Sequence, residues 1–240
     1  AYDDPVHAPL GLRAARVYGS IARGASHAQH MPSHIFFALG MWEDAIKANI
    51  DSMKTARDAG QGGYHPLHWL EHAYLQIGRA DDAAKLVSII EEDLKKTSSP
   101  YARTHLATAR ATFLVELGAD APASMMQTVD PSGVASQVVF ANHDLAIGLL
   151  HLRNKDTQAA GRMLEAIRQK AEAMKGASST ATAATRYSLV SRAEIDTVSV
   201  IEKMLRAAIE FESGQREDGV RSMMAAAEAG VDVVDAAMDA

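Results

Sequence analysis

Cysteine is absent from this chain of 240 residues, and aromatic residues make up only 5% of it. The absence of cysteine excludes disulfides, thiolate metal ligands and cysteine nucleophiles, but it leaves the redox compartment open. No apolar run approaches the roughly 20 residues that a helix needs to cross a bilayer, so we predict a soluble protein of the cytoplasm or periplasm. There is no cluster of Lys and Arg, and the net charge of -6 argues against nucleic acid as a partner.

The apolar residues that are present favour packed helices over sheets. They make up 48% of the chain and are rich in Ala, Leu, Ile and Met. Alanine and leucine are strong helix formers, and small alanine side chains let neighbouring helices approach closely. No stretch alternates apolar and polar residues as a half-buried strand would. The sequence therefore predicts an all-α protein.

The chain contains an internal repeat. Residues 26–45 and 64–83 align without a gap at an offset of 38, including three histidines, a glycine and an Asp-Ala pair. A third copy follows 40 residues later, and two weaker copies turn around Asn154 and Gly214. Each copy has an apolar helix, a tight turn with Gly or Asn, and a second amphipathic helix. We expect the turn residue to take a left-handed backbone conformation.

This pattern predicts helices separated by turns rich in Gly, Pro and Ser. They are expected at residues 8–22, 27–39, 43–58, 65–77, 80–95, 101–117, 134–152, 156–174, 187–213 and 216–229. Pro32 lacks a backbone donor and is expected to kink or delay the helix that contains it. Residues 176–185 are the candidate break between subdomains. Their Ala/Thr-rich composition favours one continuous repeat domain over residues 1–240.

The first turn carries a family resemblance. Gly40, Trp42 and Ala45 occupy the places of the glycine, aromatic and alanine that mark the turn of the tetratricopeptide repeat (TPR). The second copy keeps the glycine and the alanine and lacks the aromatic. The resemblance implies a right-handed α-α superhelix of about five helical hairpins.

A narrower resemblance covers the first 50 residues. The segment His-Met-Pro-Ser-His-Ile-Phe at 30–36, followed by Leu-Gly-Met-Trp at 39–42, is similar to a family of bacterial TPR proteins. That family implies a fold and no established reaction. The opening residues, Ala-Tyr-Asp-Asp-Pro, read like the interior of a longer chain, so we expect the sequence to be a fragment.

Seven of the ten histidines fall at equivalent places in three copies of the repeat. They are His27, His30, His34, His65, His68, His72 and His105. Spacings of three, four and seven put each triplet on one helical face. The TPR resemblance implies that this face lines the concave groove. The first functional hypothesis is therefore a scaffold whose histidine-lined groove binds a peptide, a protein or a small ligand.

The alternative hypothesis is a transition-metal-binding protein or a metal-dependent enzyme. Imidazole is the commonest protein ligand for metals such as zinc, copper and nickel. The best-placed ligand set is His34, His68 and His72, because the last two are four residues apart on one helix and His34 is the repeat equivalent of His72. We expect His72 to face His34 and His68 to face His30. The candidate carboxylate ligands are Glu71, Glu116, Asp144, and Asp3 or Asp4.

A metal-free groove stays open beside this alternative. Duplication could have copied a structural role, in which the imidazole rings stack on one another or hydrogen-bond to water. The zincin motif His-Glu-x-x-His is absent from the sequence. Trp42 and Trp69 are expected to pack between helices. The sequence thus predicts a polar groove and names no reaction.

Overall fold

The computed structural model describes residues 4–180 and 191–238, and its side chains are described for 4–176 and 191–231. Helices account for 79% of the structure, and no strand occurs within these ranges, which confirms the all-α prediction. The helices are α1 (Ala8–Ile21), α2 (Ser26–His30), α3 (Pro32–Ala38), α4 (Trp42–Asp58), α5 (Tyr64–Gln76), α6 (Ala80–Leu94), α7 (Pro100–Leu117), α8 (Val138–Arg153), α9 (Thr157–Thr180), α10 (Arg192–Glu212) and α11 (Arg216–Met238). Two short 3-10 helices, Gly118–Asp120 and Ala123–Met126, lie between α7 and α8.

Most helix boundaries lie within one or two residues of their predicted positions, and the exceptions are in the second half of the chain. Helix α8 begins at Val138, four residues later than expected, and α11 continues well past residue 229. Helix α10, expected from residue 187, begins at Arg192, and residues 187–190 lie outside the described residues. Helix α9 runs through the first residues of the predicted break to Thr180. The remainder of that break, at 181–185, lies outside the described residues.

Pro32 interrupts a helix with little change in its course. Helix α2 ends at His30 and α3 begins at Pro32, while Met31 between them keeps helical dihedral angles (φ -52°, ψ -36°). The backbone N–H of Met31 donates to the carbonyl of His27 at 3.0 Å. Proline lacks only its own donor, so a helix can restart at it when proline takes the first position. His30 and His34 consequently lie before and after the interruption, on the same face of a nearly continuous helical path.

The predicted left-handed turn residues are confirmed at four glycines and wrong at the asparagine. The φ angles of Gly40, Gly78, Gly118 and Gly214 are 66°, 75°, 55° and 94°. In the fourth hairpin the left-handed residue is Lys155, with φ 62°. Helix α8 extends to Arg153, so Asn154 keeps a φ of -85° as the helix cap and the turn falls one residue later.

The chain divides into two compact units, Ala1–Thr112 and Phe113–Ala240, here called unit 1 and unit 2. In unit 1, α4 packs against α2, α3 and α5, and α5 packs against α6. In unit 2, α10 packs against α8, α9 and α11. Whether residues 1–240 act as a single domain stays a prediction.

Each unit has its own apolar core. In unit 1, Ala15, Phe36 and Ala45 join α1, α3 and α4. In unit 2, Ile167 of α9 and Leu205 of α10 are fully buried in a larger core. None of the helices in the described part of the chain combines the length and apolar character needed to cross a membrane.

Candidate metal centre

Five of the seven predicted histidines converge in unit 1. His30, His34 and His65 form one group, here called group A, and His65, His68 and His105 form a second, called group B. In each group one ring nitrogen per residue lies within 4.8 Å of the others. The groups are assembled from α2, α3, α5 and α7, so rigid helices hold every ring. The geometry of both groups is able to hold a metal ion.

Group A joins a pair of neighbouring rings to a third from α5. The Nε2 atoms of His30 and His34 are 3.1 Å apart. The centre of the His65 ring lies 4.4 Å from that of His30, with the planes inclined at 70°. His30 is fully buried, whereas His34 and His65 are partly exposed. One side of the group is therefore accessible from solvent.

Group B has the same composition, built from α5 and α7. The Nδ1 atoms of His68 and His105 are 2.9 Å apart, and their rings stack with centres 5.0 Å apart. The His65 ring lies 5.5 Å from His68 and 6.1 Å from His105. His105 is 8% exposed. His65 thus stands at the junction of the two groups.

The separations within both close pairs suit a tetrahedral ion. Zinc–imidazole bonds of 2.0–2.1 Å place neighbouring ligand nitrogens of a tetrahedron about 3.3–3.4 Å apart. The observed separations of 3.1 Å and 2.9 Å are within about 0.5 Å of that edge. In the metal-free structure each close pair is a hydrogen bond between two imidazoles, so one nitrogen of each pair carries the hydrogen. Binding a metal would require that nitrogen to lose its hydrogen or the ring to change tautomer.

Asn49 on α4 fixes the orientation and tautomer of His30. Its Nδ2 donates to the carbonyl of Ala45 at 2.9 Å, so its Oδ1 is the atom that faces the histidine. That oxygen lies 2.7 Å from Nδ1 of His30. An amide oxygen only accepts, so Nδ1 of His30 carries the hydrogen. The neutral ring then presents the lone pair of Nε2 toward His34, as metal-ligating histidines do.

The pKa values of four of these histidines are lowered, which favours the neutral form that a metal requires. Burial, with a smaller contribution from the neighbouring histidines, lowers the pKa of His30 to about 4 despite the hydrogen bond to Asn49, which acts to raise it. Burial and then the charge of His105 lower the pKa of His68 to about 3. Burial likewise lowers the pKa of His105 to about 4 and lowers that of His65. Ligand imidazoles must be neutral, so these rings are available to a metal at pH 7.

The structure separates the three histidines of the predicted ligand set, which are His34, His68 and His72. His34 belongs to group A and His68 to group B, and their ring nitrogens do not converge with that of His72 among the described residues. His72 instead packs against Phe37 and Trp42, with ring centres 5.8 Å and 6.4 Å away.

The register between repeats explains this difference. His30 contacts His65, and His68 contacts His105, so the second histidine of one repeat meets the first histidine of the next. The expected pairing of equivalent positions is therefore shifted by one helical turn. Neighbouring helices cross at an angle, and the crossing moves contacts along the helix axis. His72, one turn further on, has Thr112 and no histidine in the next copy.

His27 and Trp69 flank the two groups. His27 is exposed and belongs to neither group, although its ring centre lies 6.3 Å from that of His65. Trp69 contacts both groups, with its ring 5.0 Å from His34 and stacked 5.6 Å from His68. Its buried Nε1 has no hydrogen-bond acceptor among the described residues. Trp69, which we expected to pack between helices, therefore packs against histidines of both groups.

The candidate carboxylates do not join either group within the described residues. Glu71 is fully buried in α5, and Glu116 is exposed in the part of α7 that belongs to unit 2. Asp144 pairs with Lys170 inside unit 2, and Asp4 lies 2.9 Å from Nδ1 of His7. Asp3 lies outside the described residues. A metal in group A or B would be bound by imidazole alone.

The sequence interpretation missed Asn49 and the central place of His65. Asn49 has no equivalent in the second copy, where offset 38 reaches Val87. No repeat signal could therefore have drawn attention to it. His65 appears from sequence as one of seven similar residues, and only the register between helices makes it common to both groups.

A cavity of about 660 Å³ lies elsewhere in unit 1, and none of the seven histidines lines it. Helices α1 and α4 contribute most of its wall, including Arg16, Lys47 and Lys54, and Arg23 follows α1. Pro32 and Phe36 supply apolar surface. This cavity is a second place at which unit 1 could receive a ligand.

Comparison of the chain with protein-family models, with curated proteins and with solved structures finds no significant match.

Proposed function

We propose that unit 1 binds a transition-metal ion through a group of three histidines. The observation that supports this proposal is the convergence of three imidazole nitrogens within 4.8 Å in each of groups A and B. A lone histidine on a helix is usually a surface residue or one with its hydrogen bonds satisfied. In group A the three rings come from α2, α3 and α5, and Asn49 holds His30 in the tautomer that ligands use, which supports a binding site there.

Imidazole donors favour zinc, copper(II) and nickel over calcium or magnesium, which prefer oxygen ligands. Copper(II) should bind most tightly of the three, following the general order of affinity for divalent metals. Three protein ligands leave a fourth position for water, as in catalytic zinc sites. The proposed site would therefore be an open centre with one coordination position available to a small ligand.

Calorimetric titration of tag-free, metal-stripped protein with zinc, copper(II) and nickel tests the proposal. The informative variants are His34→Ala and His68→Ala, since both side chains are partly exposed and each belongs to one group only. The matched control is His72→Ala, on the same face of α5 and outside both groups. Metal content after dialysis, measured by elemental analysis, gives the stoichiometry.

The proposal predicts binding that weakens in the group variants and persists in His72→Ala. Binding lost in His72→Ala alone would restore the ligand set predicted from sequence and contradict groups A and B. No heat with any of the three metals, and no increase in melting temperature on adding them, would contradict metal binding altogether.

We also infer that the hairpins stack as a TPR-like right-handed superhelix. The repeat at an offset of 38 residues, the turn glycines and the packing of successive helices within each unit support this inference. A crystal structure of the chain tests it. Successive hairpins stacked with a left-handed twist, or packed as a closed bundle, would contradict it.

The second candidate function is the ligand-binding scaffold, with the cavity between α1 and α4 as its site. Four cationic side chains line this cavity beside Asp44 and Asp51. Lys47 pairs with Asp51 and Lys54 pairs with Asp58, so the preference for an anionic ligand depends on Arg16 and Arg23. Fluorescence anisotropy with a labelled acidic peptide, compared between the unmodified chain and Arg16→Glu, tests this candidate. Equal binding by both would exclude the cavity as the peptide site.

A further inference from the structure

His65 belongs to both histidine groups, and this shared position limits how the groups can be filled. An imidazole ring has two nitrogens, Nδ1 and Nε2, whose lone pairs lie in the ring plane and point in diverging directions. If only one nitrogen of His65 served as a ligand, one group would hold a metal with three histidines and the other would retain two. If both served, each group would be complete at the same time.

We propose that His65 bridges two metal ions as an imidazolate, with one ion held by His30 and His34 and the other by His68 and His105. This inference rests on the proposed metal-binding function and assigns its stoichiometry and bridging ligand. The two ions would be the same class of divalent transition metal, because both groups offer imidazole donors alone.

The positions of the two close pairs support the bridge. The pair in group A and the pair in group B have nitrogen separations of 3.1 Å and 2.9 Å, and the His65 ring has members of both pairs within 6.1 Å of its centre. Two bonds of 2.0–2.1 Å on opposite sides of one ring place the ions about 6 Å apart. Each ion would then have three nitrogen ligands and one open position.

The chemistry of bridging balances without an oxidant or reductant. The first ion binds the lone pair of neutral His65. The second ion replaces the proton on the other ring nitrogen, and that proton leaves to solvent. The ring then carries one negative charge between two cations, which reduces their mutual repulsion. The oxidation states of both metals are unchanged.

Native mass spectrometry and electron paramagnetic resonance with copper(II) test the bridge on the tag-free full chain. The expected stoichiometry is two ions per chain. The first equivalent of copper(II) should give an ordinary signal. The second should reduce the integrated signal well below that of two independent ions, because unpaired electrons couple antiferromagnetically through an imidazolate.

Three variants separate the possible outcomes. His34→Ala and His68→Ala should each retain one ion with an uncoupled signal, whereas His65→Ala should lose the coupling and bind more weakly at both groups. Circular dichroism of the metal-free variants establishes that they fold. If His65→Ala does not fold, the first two variants and the signal of the unmodified chain still decide the question.

The outcomes distinguish this inference from the proposed function. One ion per chain, removed by His65→Ala, would overturn the bridge and leave metal binding intact. Two ions with additive signals would show two independent sites and would also overturn it. No bound ion would contradict the proposed function itself.

Discussion

The side-chain oxygen of Asn49 lies 2.7 Å from Nδ1 of His30, and the amide nitrogen of the same Asn49 donates to the carbonyl of Ala45. Both residues are fully buried. The backbone of α4 therefore sets the direction of the amide, and the amide sets which nitrogen of His30 faces His34. A residue on a neighbouring helix thus determines which atom of His30 a metal would contact in the proposed site.

Replacing Asn49 should weaken metal binding although Asn49 touches no metal in the proposed site. We expect Asn49→Ala to lower the affinity about 10–100-fold, the usual effect of losing the partner of a ligating histidine. Asn49→Asp keeps an acceptor for Nδ1 but loses the donor to the Ala45 carbonyl and buries a carboxylate, so it should recover only part of the affinity. Titration calorimetry measures both, with Asn142→Ala, an exposed asparagine in unit 2, as the control. Unchanged affinity in Asn49→Ala would remove Asn49 from the site.

The metal-free protein should lose stability in mild acid. The folded-state pKa values of His30, His68 and His105 are about 4, 3 and 4, well below the ordinary value of 6.5. Between the folded-state values and 6.5, the unfolded chain binds more protons than the folded protein. The contribution of these rings to the free energy of unfolding is therefore fully present above pH 6.5 and decreases as pH falls. A ring with a pKa near 4 should contribute a loss of about 2 kcal/mol by pH 4.5.

Thermal unfolding followed by tryptophan fluorescence measures this loss, because both tryptophans lie in unit 1. The double variant His68→Gln, His105→Gln should show a smaller decrease in melting temperature between pH 7.5 and 4.5. His151→Gln in unit 2 is the control and should match the unmodified chain. Equal pH dependence in all three proteins would mean that the cluster is solvated in solution.

Copper(II) bound at group A or B should quench the fluorescence of Trp69. Its ring is stacked 5.6 Å from His68 and lies 5.0 Å from His34. Copper(II) is paramagnetic and quenches nearby indoles, whereas zinc, with a filled d shell, lacks this effect. The variant Trp42→Phe, which leaves Trp69 as the single tryptophan, should lose most of its emission with copper(II) and little with zinc. Strong copper(II) binding without quenching in this variant would place the ion elsewhere.

Two glycines of unit 2 should respond in opposite directions to alanine. A Cβ at Gly219 would lie 2.7 Å from the backbone nitrogen of Phe211 and 2.8 Å from the carbonyl oxygen of Ala207. We expect Gly219→Ala to destabilise by about 1–3 kcal/mol, since backbone atoms cannot easily move away. Gly161→Ala, in α9 with nothing within 4 Å, should stabilise by about 0.5–1 kcal/mol. Chemical denaturation measures both, and a loss of stability in the second variant would contradict the packing around α9.

Local features of this protein could be predicted from sequence because short-range rules determine them. The turn at Gly40 and the interruption at Pro32 follow from backbone sterics, and the helical faces follow from residue spacing. The turn at Lys155 was missed because α8 is slightly longer than its turn signals suggest, and the fourth hairpin tolerates a left-handed lysine.

The ligand groups could not be predicted, because they depend on register between helices. The sequence identifies which histidines share a face and does not specify how far one helix is displaced along the next. A displacement of one turn replaces the expected contact between His30 and His68 with one between His30 and His65. The role of Asn49 could not be predicted either, because a buried polar residue on another helix produces no periodic pattern in the sequence.

The stepwise contact of one repeat's second histidine with the next repeat's first has an evolutionary consequence. Group A takes two histidines from the first copy and one from the second, and group B takes two from the second and one from the third, so each group depends on two neighbouring copies. Gene duplication could lengthen such a row of histidines by adding further copies of the hairpin. Its end is marked by Thr108, which stands where a further copy of His68 would be needed to continue it. A single codon change there would supply one histidine of another group.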